Sequence, residues 1–231
     1  MSTLRSRLAG LRERALDTVL VPRCLACERE GAYICAPCLA KVGTLSGNVT
    51  PWAKPSSGND PCLLDHIFLD AVYIPFAMDG VIRQAILQLK YRDLQVVAPP
   101  LADLLAGHAR ASALVADVIV PVPLHTARLR ERGYNQADLL ARRLSTLLQI
   151  PCQCAALART RQATPQARTG SLAKRANNVR GAFEPRASMA GQRVLLIDDV
   201  STTGATLNAC AEALKVAGAL TVVGLTVAHE L

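Results

Sequence analysis

At 231 residues, 51% of them hydrophobic and 19% charged, the chain can hold one good-sized globular domain and a small companion. A net charge of +8 points to phosphorylated or polyanionic partners, and an aromatic content of 3% argues against a broad base-stacking platform. No run approaches the roughly 18 apolar residues of a membrane span, and the Arg-bearing first 21 residues lack the apolar core of a secretion signal, so a cytoplasmic protein is expected.

In chain order, Leu4, Leu8, Leu11, Ala15 and Val19 fall on one face of a short N-terminal packing helix. Cys24, Cys27, Cys35 and Cys38 follow as C-x2-C-x7-C-x2-C. Two such pairs supply the halves of a tetrahedral thiolate site, which predicts structural Zn2+. Disulfides are the alternative, and the missing secretion signal speaks against them. Cys62, Cys152, Cys154 and Cys210 share no such pattern and read as structural thiols. Residues 43–62 are dominated by Pro, Gly, Ser and Asn, and predict a linker between a module at 1–42 and a main domain at 63–231.

In the main domain, His66 to Phe76 reads as a strand region and residues 79–91 as an amphipathic helix capped by Asp79. A second helix is expected over 99–112 and a buried strand over Val118 to Val120, ending in Pro121-Val122-Pro123. Residues 126–149 predict a long Arg-rich helical stretch broken near Gly133, and 152–157 a strand. Val194 to Ile197 is a buried strand, Ala205 to Ala217 a helix and Leu220 to Ala228 a final strand. Helices alternating with buried strands indicate an α/β domain with a mainly parallel sheet, whose ligands bind beyond the carboxyl ends of the strands.

The segment Val194 to Thr206, VLLIDDVSTTGAT, carries the chemistry. A buried strand, two acids, then a Ser/Thr/Gly loop opening a helix suit a phosphorylated sugar: loop amides and helix N-terminus for phosphate, carboxylates for hydroxyls or a metal. A Walker A loop is excluded because no Lys follows Gly204, and a dinucleotide loop because there is one glycine. An ordinary capped strand–turn–helix must explain two adjacent acids that repel each other. The thirteen residues resemble the phosphoribosyl-diphosphate motif of type I phosphoribosyltransferases. The resemblance implies that Asp198 and Asp199 bind the ribose hydroxyls and take part in catalysis, and that Ser201, Thr202, Thr203, Gly204, Ala205 and Thr206 wrap the 5-phosphate. It also implies Mg2+ with phosphoribosyl diphosphate. It places a diphosphate-binding loop after Val120, at Pro123, Leu124 and His125, with Arg128 and Arg132 adding charge. Asn135 and Gln136 are further polar candidates.

Together with LKYRD at 89–93, VPVPLHTARLRERGYNQA at 120–137 and the basic stretch 159–186, the cysteine module makes the chain resemble the ComF family, also called the GntX family. Many of those relatives carry a second pair of cysteine knuckles, of which only Cys62 remains here. The stretch 159–186 holds Arg159, Arg161, Arg168, Lys174, Arg175, Arg180 and Arg186 against the single acid Glu184. In the family this is where a flexible loop closes over the diphosphate. It also suits phosphate contacts to nucleic acid. Lys90 and Arg92 form a third basic candidate, or a helix end whose charges suit the dipole. Two functions are implied: transfer of phosphoribosyl to an acceptor the sequence does not name, or binding of single-stranded DNA, with a DNA-uptake helicase as partner, in natural transformation.

Overall fold

The computed structural model describes residues 21–45, 67–160 and 181–230. The expected N-terminal helix, most of the 43–62 linker, Cys62, and Arg161, Arg168, Lys174, Arg175 and Arg180 lie outside the described residues.

A five-stranded parallel sheet positions everything else. Its order is β1 (Ala71–Tyr73), β7 (Thr221–His229), β6 (Arg193–Ser201) and β3 (Val118–Pro121), with β2 (Phe76–Ala77) also pairing with β7. The two nine-residue strands lie side by side at the centre, in register from Arg193↔Thr221 to Ser201↔His229. β6 runs four residues past the expected end at Ile197, because Asp198, Val200 and Ser201 still pair with Thr226, Ala228 and His229. The acids therefore belong to the strand.

Side chains alternate across a strand, and the two faces of this sheet feed separate cores. Ile119, Leu195, Ile197, Leu225 and Val227 meet α2 (Gly80–Tyr91), α3 (Ala98–Ala111) and α5 (Gln136–Leu148). Val118, Val120, Val194, Leu196 and Val222 meet α6 (Ala205–Val216). Val81, Ile82, Ala85, Ile86 and Leu89 form the buried stripe of α2, and the Asp79 carboxylate caps it by accepting from the Gly80 N–H at 2.6 Å. α3 opens with Pro in its first turn, where the missing N–H costs nothing. The Arg-rich stretch divides into α4 (Thr126–Arg132) and α5 at Gly133, whose φ of 80° ends α4 in the left-handed region.

The strand expected over 152–157 shrinks to a single parallel bridge, Cys152 with Ile119. A turn closed by the Ala156 N–H on the Gln153 carbonyl follows and takes the chain off the sheet edge. β4 (Leu157–Arg159) then pairs antiparallel with β5 (Phe183–Pro185) in a ribbon packed on α6. In the core on the other face of the sheet, α1 (Ala36–Leu39) packs on α2, and Cys24, Cys35 and Val42 join the α2–α3 core. No helix among the described residues is long and apolar enough to cross a membrane.

Candidate functional site

The two-residue alternation of β6 sends its acids to opposite faces of the sheet. Asp199 follows Leu195 and Ile197 onto the α2 face, where its Oδ2 lies 2.8 Å from Lys90 Nζ, an ion pair outside hydrogen-bonding angles. Both side chains are largely covered, at 20% exposure for Lys90 and 4% for Asp199. Burial alone would lower the Lys90 ammonium, but the charge of Asp199 outweighs it and raises the pKa above the usual lysine value. Asp198 follows Val194 and Leu196 onto the α6 face. Burial there, then the neighbouring charge of Asp199, pushes its carboxyl well above the usual carboxylate range. Its Oδ1 accepts from the Asp199 N–H at 2.9 Å, and Asp199 Oδ1 accepts from the Val200 N–H at 2.9 Å.

Beyond the acids, β6 ends at Ser201, and Thr202, Thr203 and Gly204 form the turn into α6. Gly204 occupies the N-cap with φ 73°, a left-handed conformation that favours glycine. Thr203 Oγ1 accepts from the Ala205 N–H at 3.4 Å. Ser201 Oγ is buried with no partner among the described residues. Ser201 and Thr203 are buried, Thr202 is exposed and Thr206 half-buried. The predicted loop is thus a cradle at the carboxyl end of the central strand, with an orphaned hydroxyl in it.

Next to it, at the end of β3, the Val122 N–H donates to the Ile197 carbonyl at 2.8 Å. Pro123, Leu124 and His125 follow, half-buried, and His125 caps α4 by accepting from the Ala127 N–H at 3.2 Å. Asn135 is fully engaged in the scaffold: its amide donates to the Val122 carbonyl at 2.9 Å and its Oδ1 accepts from the Ala137 N–H at 3.1 Å. Gln136 is buried and accepts from Arg132 at 2.5 Å. These two polar candidates hold the loop after β3 and the start of α5.

The basic candidates divide. Lys90, Arg128 and Arg132 line one cavity of about 270 Å3, with Tyr91, Asp93, Glu131 and Tyr134. Arg132 also lies over the Tyr91 ring, 5.7 Å from its centroid. Arg92 is the C-cap of α2, is exposed, and does not line that cavity. Arg168 and Lys174 lie outside the described residues. Arg159, read from sequence as the first residue of a polar stretch, is part of β4. Its guanidinium stands 5.3 Å from the Phe183 ring centroid, its Nε is buried with no partner among the described residues, and burial pulls its pKa down. No local motif announces Lys90's pairing, which joins positions more than a hundred residues apart, or the cavity, which joins residues 90–93 to 128–134.

The four N-terminal cysteines meet with their sulfurs all within 4.8 Å of one another, and Cys27 and Cys35 are 3.7 Å apart. A tetrahedral zinc thiolate site, with bonds of about 2.3 Å, sets its sulfurs roughly 3.8 Å apart, so the residues fit the metal. The charge distribution fits as well. Burial alone would raise Cys24, yet backbone N–H donors from Ala26, Cys35 and Cys27 bring it down to about 6. Hydrogen bonds with Cys27 and Cys35 push Cys38 up to about 12. Thiolate charge is favoured at Cys24 and opposed at Cys38, and a bound dication would relieve that opposition.

The Phosphoribosyl transferase domain family matches residues 129–230, which include β6, the acids and the loop. Competence protein F of Haemophilus influenzae is 41% identical over 105 residues, covering 44% of this chain and 45% of that protein. DNA utilization protein YhgH of Escherichia coli O157:H7 is 37% identical over 140 residues, 58% of this chain and 61% of that protein. Competence protein ComFC of Bacillus subtilis is 25% identical over 193 residues, 78% and 77%. The chain thus spans 45% and 61% of the first two of these relatives. The chain is similar to competence protein F, YhgH and ComFC, and its residues 129–230, which match the phosphoribosyl transferase domain family, are preceded by a four-cysteine cluster that fits a zinc module.

Proposed function

We propose that the chain binds phosphoribosyl diphosphate with Mg2+ at the carboxyl end of β6 and transfers phosphoribosyl to an acceptor. One observation carries this reading: at the end of the central strand two buried carboxylates sit beside a hydroxyl loop whose Ser201 Oγ has no partner among the described residues. Buried polar atoms without partners are costly, and a phosphate satisfies hydroxyl and amide donors together. Asp198 and Asp199 accept from the ribose hydroxyls, and Ser201 to Thr206 take the 5-phosphate. Pro123 to His125 and Arg128 lie toward the diphosphate. Lys90 pairs with Asp199 alone, and a dication beside Asp198 would favour the ionised form that burial opposes. Bound Mg2+ supplies charge that offsets the leaving diphosphate. Calorimetric titration with phosphoribosyl diphosphate and Mg2+ tests the reading. Wild type is expected to bind and the Asp198→Asn/Asp199→Asn variant to lose binding. A wild-type chain that does not bind overturns it.

A second reading rests on the names of the relatives, competence and DNA utilization, and on the net charge of +8. The chain then also contacts single-stranded DNA through its basic stretch, with the nucleotide site sensing its ligand during DNA uptake and an uptake helicase as partner. Binding should weaken linearly in log–log terms as salt rises and fall on charge reversal at Arg168 and Lys174. Absence of binding at low salt ends this reading and leaves the first untouched.

A further inference from the structure

Cys152 and Cys154 stand outside every role assigned above. Their Sγ atoms lie 3.3 Å apart. A disulfide needs about 2.05 Å between sulfurs, so closing the bond takes an approach of little more than 1 Å. Both residues are half-buried, within reach of a small reagent, whereas Cys210 is sealed in the core. Their place in the fold gives the pair leverage. The Pro151 carbonyl accepts from the Ile119 N–H and the Gln153 N–H donates to the Ile119 carbonyl, each at 2.9 Å. The segment is therefore stitched to the sheet edge at β3. Three residues after Cys154, at Leu157, begins the β4–β5 ribbon, whose two strands flank the basic stretch in sequence.

The geometry points to Cys152 and Cys154 as a thiol–disulfide site that reacts with low-molecular-weight disulfides and, when closed, stiffens the root of the β4–β5 ribbon. One cysteine, as thiolate, attacks a sulfur of the external disulfide and releases one thiol. The second cysteine attacks the mixed disulfide and releases the other. Two protein S–H bonds are exchanged for one S–S bond, and the two electrons and two protons leave on the two small thiols. Burial raises the Cys152 thiol, and burial together with a hydrogen bond to Asp138 raises Cys154. Both are protonated at neutral pH, so exchange is slow, on the order of hours.

The test is oxidation of the full chain with mixtures of oxidised and reduced glutathione, followed by alkylation with N-ethylmaleimide, tryptic digestion and mass spectrometry. The tryptic peptide 144–159 contains both cysteines and no others. It is expected to lose about 2 Da and to resist alkylation until reduced. In Cys154→Ser the same peptide should carry one glutathione instead. Amide exchange at Leu157–Arg159 and Phe183–Glu184 should slow by about threefold in the oxidised wild type and stay unchanged in Cys154→Ser. A wild-type peptide that takes two alkyl groups at every glutathione ratio, or stops at the single adduct, overturns the site. Unchanged exchange in the oxidised ribbon overturns the stiffening.

Discussion

Two adjacent aspartates look identical in sequence, and their environments make them opposites. Asp199 has Lys90 at 2.8 Å, while Asp198 is buried with its pKa held high. An acid whose folded pKa exceeds its unfolded value binds more protons when folded, so it costs stability once pH rises above the unfolded value. Asp198→Asn is therefore expected to raise the melting temperature at neutral pH, by about 1 kcal/mol of stability, while abolishing phosphoribosyl diphosphate binding. The gain should vanish as pH falls below about 4, where the native acid is protonated in both states. Thermal melts across pH check the first part and calorimetry the second. Lys90→Met should do the reverse. It strands Asp199 as a buried charge and costs about 3 kcal/mol, and adding Asp199→Asn should recover most of that. Denaturant melts of the two variants decide it. The acids themselves could be read from sequence because their motif is contiguous. Their division of labour could not, because Lys90 lies more than a hundred residues away.

Elements that carry their own periodicity or cap were readable in advance: α2 with Asp79, the break at Gly133, and α6 after Gly204. Elements defined by a partner were not. The strand expected at 152–157 is one bridge and a turn, because the sheet edge accepts a single register position beside Ile119. The ribbon at 157–159 and 183–185 pairs across a separation that local pattern does not reveal. Asn135 shows how such distant joins hold a site together. It caps α5 with its oxygen and ties the loop after β3 with its nitrogen. Asn135→Ala should cost about 1–2 kcal/mol as a lost cap. It should also weaken phosphoribosyl diphosphate binding beyond that seen in Gly133→Ala, which perturbs α4's end but leaves the Val122 tie. Paired melts and titrations of both variants separate the two effects.

Across the whole molecule, the cysteine cluster and the acids belong to one mechanical chain. Cys24 and Cys35 pack into the same core as α2, α1 rests on α2, and Lys90 near the end of α2 meets Asp199. The sequence places a linker at 43–62 between the module and the main domain, and the packing sets Cys24, Cys35 and Val42 in one core with the helix that pairs Asp199. Structural zinc sites contribute folding energy directly, and chelation removes it. Stripping zinc with a chelator should therefore lower the melting temperature by about 5 °C or more in a chain of this size. It should also weaken phosphoribosyl diphosphate binding severalfold, because a loosened α2 no longer fixes Lys90 against Asp199. Cys38→Ser should reproduce both effects, and restored Zn2+ should reverse them only in the wild type. A melting temperature that falls while affinity stays constant would mean that α2 holds its position without the module, and that the cysteine cluster serves a surface of its own.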